Sequence, residues 1–444
     1  MSDYMFMLES HLTESQFQVV NAVQAAAADA NVSVFLAGGA MRDVLGGYPV
    51  RDLDFVIEGV PKPFTKILEK QLGGQVVASD ERKKTVELLF PGNVKAEFAM
   101  AKVEKYGRAG TKPQIIPATI HEDLKGRDFT INAIALSLNK ASRGLLLDPT
   151  NGLADLERRE MQTAYNYALY DDPGRILRMM RFSVRMGFAI SERTRSQYAN
   201  VKEAGLHQKI PLETLSLELR RMADEMNSAE LLRVLDEEKL LPLFSPALVG
   251  AKVNLSGMQK LLKARTNIPF EIGFQVNNIT LFLYLLTQKL TPKERNALIK
   301  NFDLDKATVT AWQQLEAKAK KLEKDIKSPN LKKPSLIYKT LLPAAGDQIV
   351  FLLMHSTQRL VQDRIKNYLQ KYLGMAQEVT DAEVEEATKL AHTSPKFAKA
   401  KADFIAKKLD ARPKKVVEPE VEVVPPPPMA GRGAAAGRAA AARR

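Results

Sequence analysis

Asp52 and Asp54 in "RDLDFVIEG" are separated by one residue and open an apolar stretch with the alternation of a strand. A strand turns alternate side chains to opposite faces, so both carboxylates project from the same one. Like charges held side by side repel unless a cation lies between them, and hard divalent cations such as Mg2+ take oxygen ligands of this kind. A pair of such ions can hold both the attacking and the leaving oxygens of a phosphoryl transfer. Standing alone, an Asp-x-Asp is more often two exposed acids solvating a strand start. Just upstream, in "LAGGAMRD", Gly38 and Gly39 form a turn whose backbone N–H groups suit phosphate oxygens, and Arg42 adds a cation. A dinucleotide-binding turn is the competing explanation, because "VFLAGG" reads as a strand ending in glycines and Glu58 lies where a ribose-binding acid could sit. That fingerprint lacks its third glycine, and Arg42 and Asp43 stand where a pyrophosphate turn wants small residues.

Two further segments carry chemistry. In "GRDFTINAIAL", residues 126–136, Phe129 and Ile131 alternate like a core element, so Asp128 braces the site or is purely structural. In "DDPGRILRMMRF", residues 171–182, Asp172 reads as a helix N-cap, Pro173 suits the first helical position, and Arg175, Arg178 and Arg181 form an i, i+3, i+6 stripe. A capped helix with a solvated arginine face is the plain account of that pattern.

Taken in order, G-G-x-x-R-D with D-x-D, then R-D-F-T-I-N-A, then acid-D-x-x-R-x-x-R-x-x-R-F, the chain resembles the class II tRNA nucleotidyltransferase and bacterial poly(A) polymerase family over roughly residues 20–240. The resemblance implies that Asp52 and Asp54 are catalytic and bind Mg2+, and that Gly38, Gly39 and Arg42 hold the triphosphate. It implies that Arg127 contacts the nucleotide while Asp128 and Asn132 brace the site. Asp172 and Arg175 would offer acceptor and donor groups to a base edge, so that amino acids rather than a template choose C or A. Arg178 and Arg181 would face phosphate or hold the helix in place. The implied reaction is addition of CMP and AMP from CTP and ATP to the 3′ end of tRNA. A poly(A) polymerase, or an enzyme adding only C or only A, shares all three motifs. Transfer to a small molecule fits less well with a long basic body, and an RNA-binding relic is argued against by the intact acid pair.

The chain departs from the family pattern at Gly126, where an arginine is usual, at Thr214 in "LETLSLEL", at Asp171 and at Lys102. Glu97 in "VKAEFAMA" is a candidate third acid or the partner of a nearby lysine. No His-Asp pair occurs in the body, so the phosphohydrolase domain fused to some members is not expected.

The elements that must position these groups follow from periodicity. Residues 13–30 read as a helix behind the capping box "TESQ", with Phe17, Val20, Val23 and Ala27 at helical spacing. Between 32 and 148, short apolar segments "VSVFLAG", "DLDFVIEG", "GQVVAS", "TVELLF", "VKAEFAMA", "NAIALSL" and "GLLLDP" alternate with Gly, Pro and charged clusters. They predict an α/β head built on a mixed sheet, and the resemblance makes it a polymerase-β-like nucleotidyltransferase head. Beyond about residue 171 strand patterns nearly vanish and amphipathic helical segments follow one another, which predicts an elongated all-α neck, body and tail. The expected division is 1–150 nucleotidyltransferase head, 151–245 helical neck with the nucleotide-reading helix, 246–411 tRNA-binding body and tail, and 412–444 a disordered Pro/Ala/Arg-rich extension.

Composition agrees with that assignment. A formal net charge of +13 over 444 residues points to a polyanionic partner, and the basic stretch 318–334 is a candidate contact for tRNA backbone. The chain has no cysteine, which excludes disulfides, thiolate metal sites and cysteine nucleophiles. No apolar run has spanning length and the N-terminus lacks a signal-peptide pattern, so a cytoplasmic protein without a membrane partner is expected. No protein partner is implied.

Overall fold

Two helices, α1 (Tyr4–His11) and α2 (Glu14–Asp29), precede the first strand. The capping box forms as read: Gln16 N donates to Thr13 Oγ1 at 3.2 Å and Thr13 N to Gln16 Oε1 at 3.0 Å. Val20, Val23 and Ala27 are buried with Val19, while Phe17 is only half-buried. In this computed structural model the described residues are 4–108, 111–269, 272–302 and 304–411, and the extension read as disordered, 412–444, lies outside them.

The head carries β1 (Val34–Ala37), β2 (Leu53–Ile57), β3 (Gln75–Asp80), β4 (Thr85–Phe90), β5 (Val94–Met100), β6 (Lys102–Lys105), β7 (Gln114–Pro117), β8 (Ala135–Ser137) and β9 (Leu146–Leu147). Seven of them form one mixed sheet in the order β3-β4-β5-β2-β1-β8-β9, and these are the seven apolar segments picked out by alternation. Only β2 and β5 run parallel. β1 is antiparallel to both its neighbours, β2 and β8, which removes the parallel crossover that a dinucleotide-binding turn requires. The separate β6–β7 hairpin escaped the reading because its strands are short and its alternating positions carry Lys102, Glu104 and Gln114 instead of a continuous apolar face.

Alternation sorts the sheet's faces. Leu53, Phe55 and Ile57 of β2 and Ala96 and Phe98 of β5 point into a core with α2, and Phe55 stacks on Phe98 at 4.9 Å. The opposite face carries Asp54 and Glu97, directly paired in register across β2 and β5, and Glu87 pairs with Glu97 from β4. Around the sheet lie α3 (Gly39–Leu45), α4 (Pro61–Leu72) and α5 (Ile120–Lys125).

From α6 (Gly152–Arg158), α7 (Ala168–Asp171) and α8 (Arg175–Met186) onward the chain is almost entirely helical, with α9 (Glu192–Glu203), α10 (Leu212–Ala223) and α11 (Ser228–Glu237) forming the neck. A continuous hydrophobic core runs from Phe129 and Ile131 in the head through these helices to Leu373. In the helix Lys306–Lys327, Trp312, Leu315, Ala319, Leu322 and Ile326 face inward, leaving Lys318, Lys320, Lys321, Lys324 and Lys327 on the solvent face. The described residues fall into two compact units, one ending at Glu378 and one beginning at Val379; the second has its own small core of Val379, Val384 and Phe397. Among the described residues no single helix is long and apolar enough to cross a membrane. Pro334–Leu341 and Gly346–His355 pass such a test only as a pair bent by 114°, and Leu341, Ile349, Val350 and Leu352 are buried in the protein core.

Candidate active site

β2 carries Asp54 as its second residue, and Asp52 immediately precedes the strand in an exposed position. The Asp54 carboxyl is pushed up to about 6 by burial first and by the charge of Glu97 next, with Asp52 adding to it; Arg127 and the Ala40 N–H pull the other way. The Ala40 N–H donates to Asp54 Oδ2 at 3.3 Å, so the start of α3 is drawn against the acid. Glu97 is likewise raised, by crowding from the surrounding protein and by Glu87, against the pull of Lys102. Carboxylates held this close, one of them half-buried, are short of positive charge, and that donor set fits a hard divalent cation. Among the described residues no group of three or more Asp, Glu or His gathers around a single metal position, so Asp52 and Asp54 stand as a two-carboxylate set.

The glycine turn has a steric reason. Gly38 sits at φ +66°, and a Cβ there would lie 2.7 Å from Arg127 Nη1; a Cβ on Gly39 would lie 2.9 Å from Asp54 Oδ2. Only glycine lets Arg127 and Asp54 approach the turn so closely. The Gly38 N–H donates to Ile134 O at 3.1 Å, so this amide, expected to face phosphate, is spent on the head itself. Arg42 is also engaged: its Nε donates to Asp43 Oδ1 at 2.8 Å, its Nη1 donates to Asn132 Oδ1 at 2.8 Å, and its guanidinium stands 5.0 Å from the Phe182 ring centroid.

Asn132 continues the chain of contacts. Its Nδ2 donates to Asp128 Oδ1 at 3.0 Å, and Asp128 Oδ2 accepts from Arg178 Nη1 at 2.7 Å. Burial opposes the charge on Asp128, yet the Arg178 and Arg175 guanidiniums hold its carboxyl well below the usual range. Thus Arg42, Asn132, Asp128 and Arg178 join the three sequence segments into one hydrogen-bonded line. Arg127 lies beside it, donating from Nε to Asp123 Oδ2 at 3.0 Å and from Nη1 to Asn132 O at 3.1 Å.

The arginine stripe has one member in each of three environments. Regular α8 begins at Arg175 with Gly174 as its cap residue, so the expectation of an Asp172 N-cap is corrected: Asp172 Oδ1 accepts from the Gly174 N–H at 2.9 Å, closing a turn ahead of the helix. Its Oδ2 lies 3.8 Å from Arg175 Nε. Arg175 is 4% exposed; its Nη1 donates to Tyr165 Oη at 3.0 Å and its Nη2 lies 3.9 Å from Glu104 Oε2. Arg178 holds Asp128. Arg181 is enclosed between Glu218 and Glu225 at 2.9 and 3.2 Å, which ties α8 to α10 and the residues after it.

Sequence reasoning missed the groups that receive these arginines. Glu218 on α10 and Glu225 beyond it accept from Arg181, and they also take Arg221 and Arg185. Their spacing of seven on an amphipathic stretch is the signal that a search for partners of the arginine stripe would have used. Tyr106, a lone aromatic in an irregular stretch, left no signal, and nothing in spacing singles out Tyr165 from its neighbours Tyr167 and Tyr170.

Residues 34–162 match the family described as the poly A polymerase head domain. The chain is 31% identical to an A-adding tRNA nucleotidyltransferase of Aquifex aeolicus, over 76% of this chain and 40% of that protein. It is 36% identical to a CC-adding tRNA nucleotidyltransferase of Deinococcus radiodurans, over 34% of this chain and 40% of that one. The chain therefore spans less than half the length of these curated relatives. The fold is that of the Thermotoga maritima CCA-adding enzyme solved in complex with tRNA: TM-score 0.54 and 23% identity, covering 93% of this chain and 96% of that one.

Proposed function

We propose that the chain, whose residues 34–162 match the poly A polymerase head domain, is a tRNA nucleotidyltransferase that adds CMP and AMP, without a template, to the 3′ end of tRNA. The observation that supports this most is the convergence of the three segments: Asp54 of β2 accepts from the Ala40 N–H of α3, and Arg42 of α3 is tied to Arg178 of the arginine helix α8 through Asn132 and Asp128. The tRNA 3′-hydroxyl oxygen attacks the α-phosphorus of CTP or ATP, a new O–P bond forms, and the bond to pyrophosphate breaks.

Enzymes of this family use divalent metal ions. Here we take the ion to be Mg2+, held by Asp52 and Asp54, where it would stabilise charge on the transferring phosphate. Gly38, Gly39 and Arg42 shape the phosphate side, and Arg127 brings a cation against Asp54. Asp172 and Arg175 read the base edge, with Arg178 fixing the helix that carries them. The division of labour follows: head 1–150 for chemistry, neck 151–245 for base choice, body 246–411 for tRNA, whose backbone suits the lysine face around residues 318–334. A cytoplasmic location goes with that substrate.

A second reading, addition of the terminal A alone, is favoured by the name of the Aquifex aeolicus relative. One assay separates them: incubation with Mg2+, each labelled nucleoside triphosphate and tRNA transcripts lacking either CCA or only the last A. Incorporation of C and then A on the shorter transcript supports CCA addition. Incorporation of A solely on the longer one supports the second reading, and long A tracts on any RNA would replace both with poly(A) synthesis.

A further inference from the structure

Arg175 is clasped by two tyrosines from different parts of the chain. Tyr165 offers its hydroxyl oxygen to Arg175 Nη1 at 3.0 Å and its ring at 5.5 Å from the guanidinium carbon. The Tyr165 hydroxyl proton is committed elsewhere, to Asp171 Oδ2 at 2.9 Å, which leaves a lone pair directed at the arginine. The Tyr106 ring lies 6.0 Å from the same carbon, and its hydroxyl donates to Glu104 Oε2 at 2.6 Å. Glu104 is itself steadied by Lys102 Nζ at 3.5 Å from Oε1.

Neither tyrosine is free to drift. Residues 162–164 run beside 128–130: the Thr130 N–H donates to Gln162 O at 2.9 Å and the Ala164 N–H donates to Asp128 O at 3.1 Å, so Tyr165 emerges directly from the segment carrying Asp128. Tyr106 follows β6, whose Glu104 and Lys105 are in register with Ile115 and Gln114 of β7. A guanidinium has five donors in a rigid plane, and which of them face a base depends on how that plane is turned. Two aromatic rings within 6.0 Å of its carbon and a hydroxyl acceptor at one nitrogen restrict both its tilt and its rotation.

We propose that Tyr165 and Tyr106 are specificity-determining positioning residues, which orient Arg175 so that its remaining donors meet the edge of the correct base. The inference rests on the base-reading role given to Arg175 above. Burial and the neighbouring Asp171 push the Tyr165 hydroxyl up to about 12, so it stays a donor to Asp171 throughout the working range.

The test measures kcat and KM for ATP, CTP, GTP and UTP on the two tRNA transcripts, using the full chain and the variants Tyr165→Phe, Tyr106→Leu, Arg175→Ala and Arg175→Ala/Tyr165→Phe, with thermal midpoints as a check on folding. Tyr165→Phe keeps the ring and loses only the oxygen. It should narrow the ratio of correct to incorrect nucleotide by about tenfold, the worth of one hydrogen bond to a charged group. The loss should fall mainly on KM for the correct base. Tyr106→Leu should narrow the ratio as well, and the double variant should discriminate no worse than Arg175→Ala, because the tyrosine acts through the arginine. Unchanged ratios in both tyrosine variants, with Arg175→Ala still narrowing them, would overturn the tyrosine inference and leave the base-reading role standing. Unchanged ratios in Arg175→Ala would overturn both, and additive losses in the double variant would show that Tyr165 acts on its own.

Discussion

Arg178 on the neck helix reaches back to Asp128 in the head, Nη1 to Oδ2 at 2.7 Å, and both side chains are largely removed from solvent. This ion pair joins the segment 126–136 of the head to α8. Asp128 also receives Asn132, which holds Arg42, so a displacement of α8 is felt at the glycine turn.

Asp128→Ala should therefore leave the half-buried Arg178 guanidinium facing only Glu218, 3.8 Å away, and lower stability by about 3 kcal/mol, the usual cost of breaking one partner of a buried pair. The wild-type carboxyl is depressed on folding, so its contribution is fully present above the ordinary Asp range, starts to fall as pH drops through that range, and is gone only once pH passes below the depressed folded value. The gap between the two proteins' melting temperatures should thus be constant near neutrality and begin to narrow below about pH 4; a gap that stays constant into strong acid would show that the pair does not contribute as described.

Asp54 has the opposite sign. Its carboxyl is raised to about 6 on folding, so the cation-free protein should lose stability as pH climbs from about 4 to about 6, by no more than about 3 kcal/mol. Asp54→Asn should remove that slope, melt higher than wild type at pH 7.5 without metal, gain nothing from added Mg2+, and incorporate no nucleotide. Raising Mg2+ should also shift the acid limb of wild-type activity to lower pH, because the ion and the proton compete for the same oxygen.

The two glycines of the turn should fail differently. Gly38→Ala forces a residue at φ +66° into a contact with Arg127, with strain of about 1–3 kcal/mol. It should reduce incorporation of all nucleotides at unchanged Mg2+ requirement. Gly39→Ala presses on Asp54 instead and should raise the Mg2+ concentration needed for half-maximal rate. Titrating Mg2+ in steady-state assays of both variants distinguishes these outcomes, and identical metal dependence would show that the contacts are relieved in some other way.

Arg181→Met should behave as a stability variant. Glu218 and Glu225 are buried and would each lose a partner, lowering the thermal midpoint by several degrees, with a free-energy loss on the order of 3 kcal/mol. Ratios among the four nucleotides should not move, in contrast to Arg175→Ala. A change in those ratios would place Arg181 within reach of the base.

Much of the head was legible because its signals are local. Alternation marked all seven strands of the main sheet, and Thr13 and Gln16 announced the α2 cap three residues apart. Period two likewise put Asp54 on the face opposite Leu53, Phe55 and Ile57, where it is in register with Glu97. What could not be read was pairing over distance. Nothing in the sequence near Arg175 says that Tyr106, from another hairpin, will lie against it, and the i, i+3, i+6 stripe looked like a solvated face until Glu218 and Glu225 enclosed one member and Asp128 took another. The Asp172 cap misled because the residues after it make a tight turn first, delaying the regular helix to Arg175.

The core that begins at Phe129 and Ile131 and continues into α8, with Phe129 set edge-on to Phe182 at 6.3 Å, bears on how this protein can be taken apart. A head cut after residue 150 would carry Asp128 without its guanidinium and an apolar strip without its cover. Any junction must keep the sheet, the arginine helix and the glutamates that fix it together, and because the same core continues to Leu373 a cut just beyond α11 would open it as well.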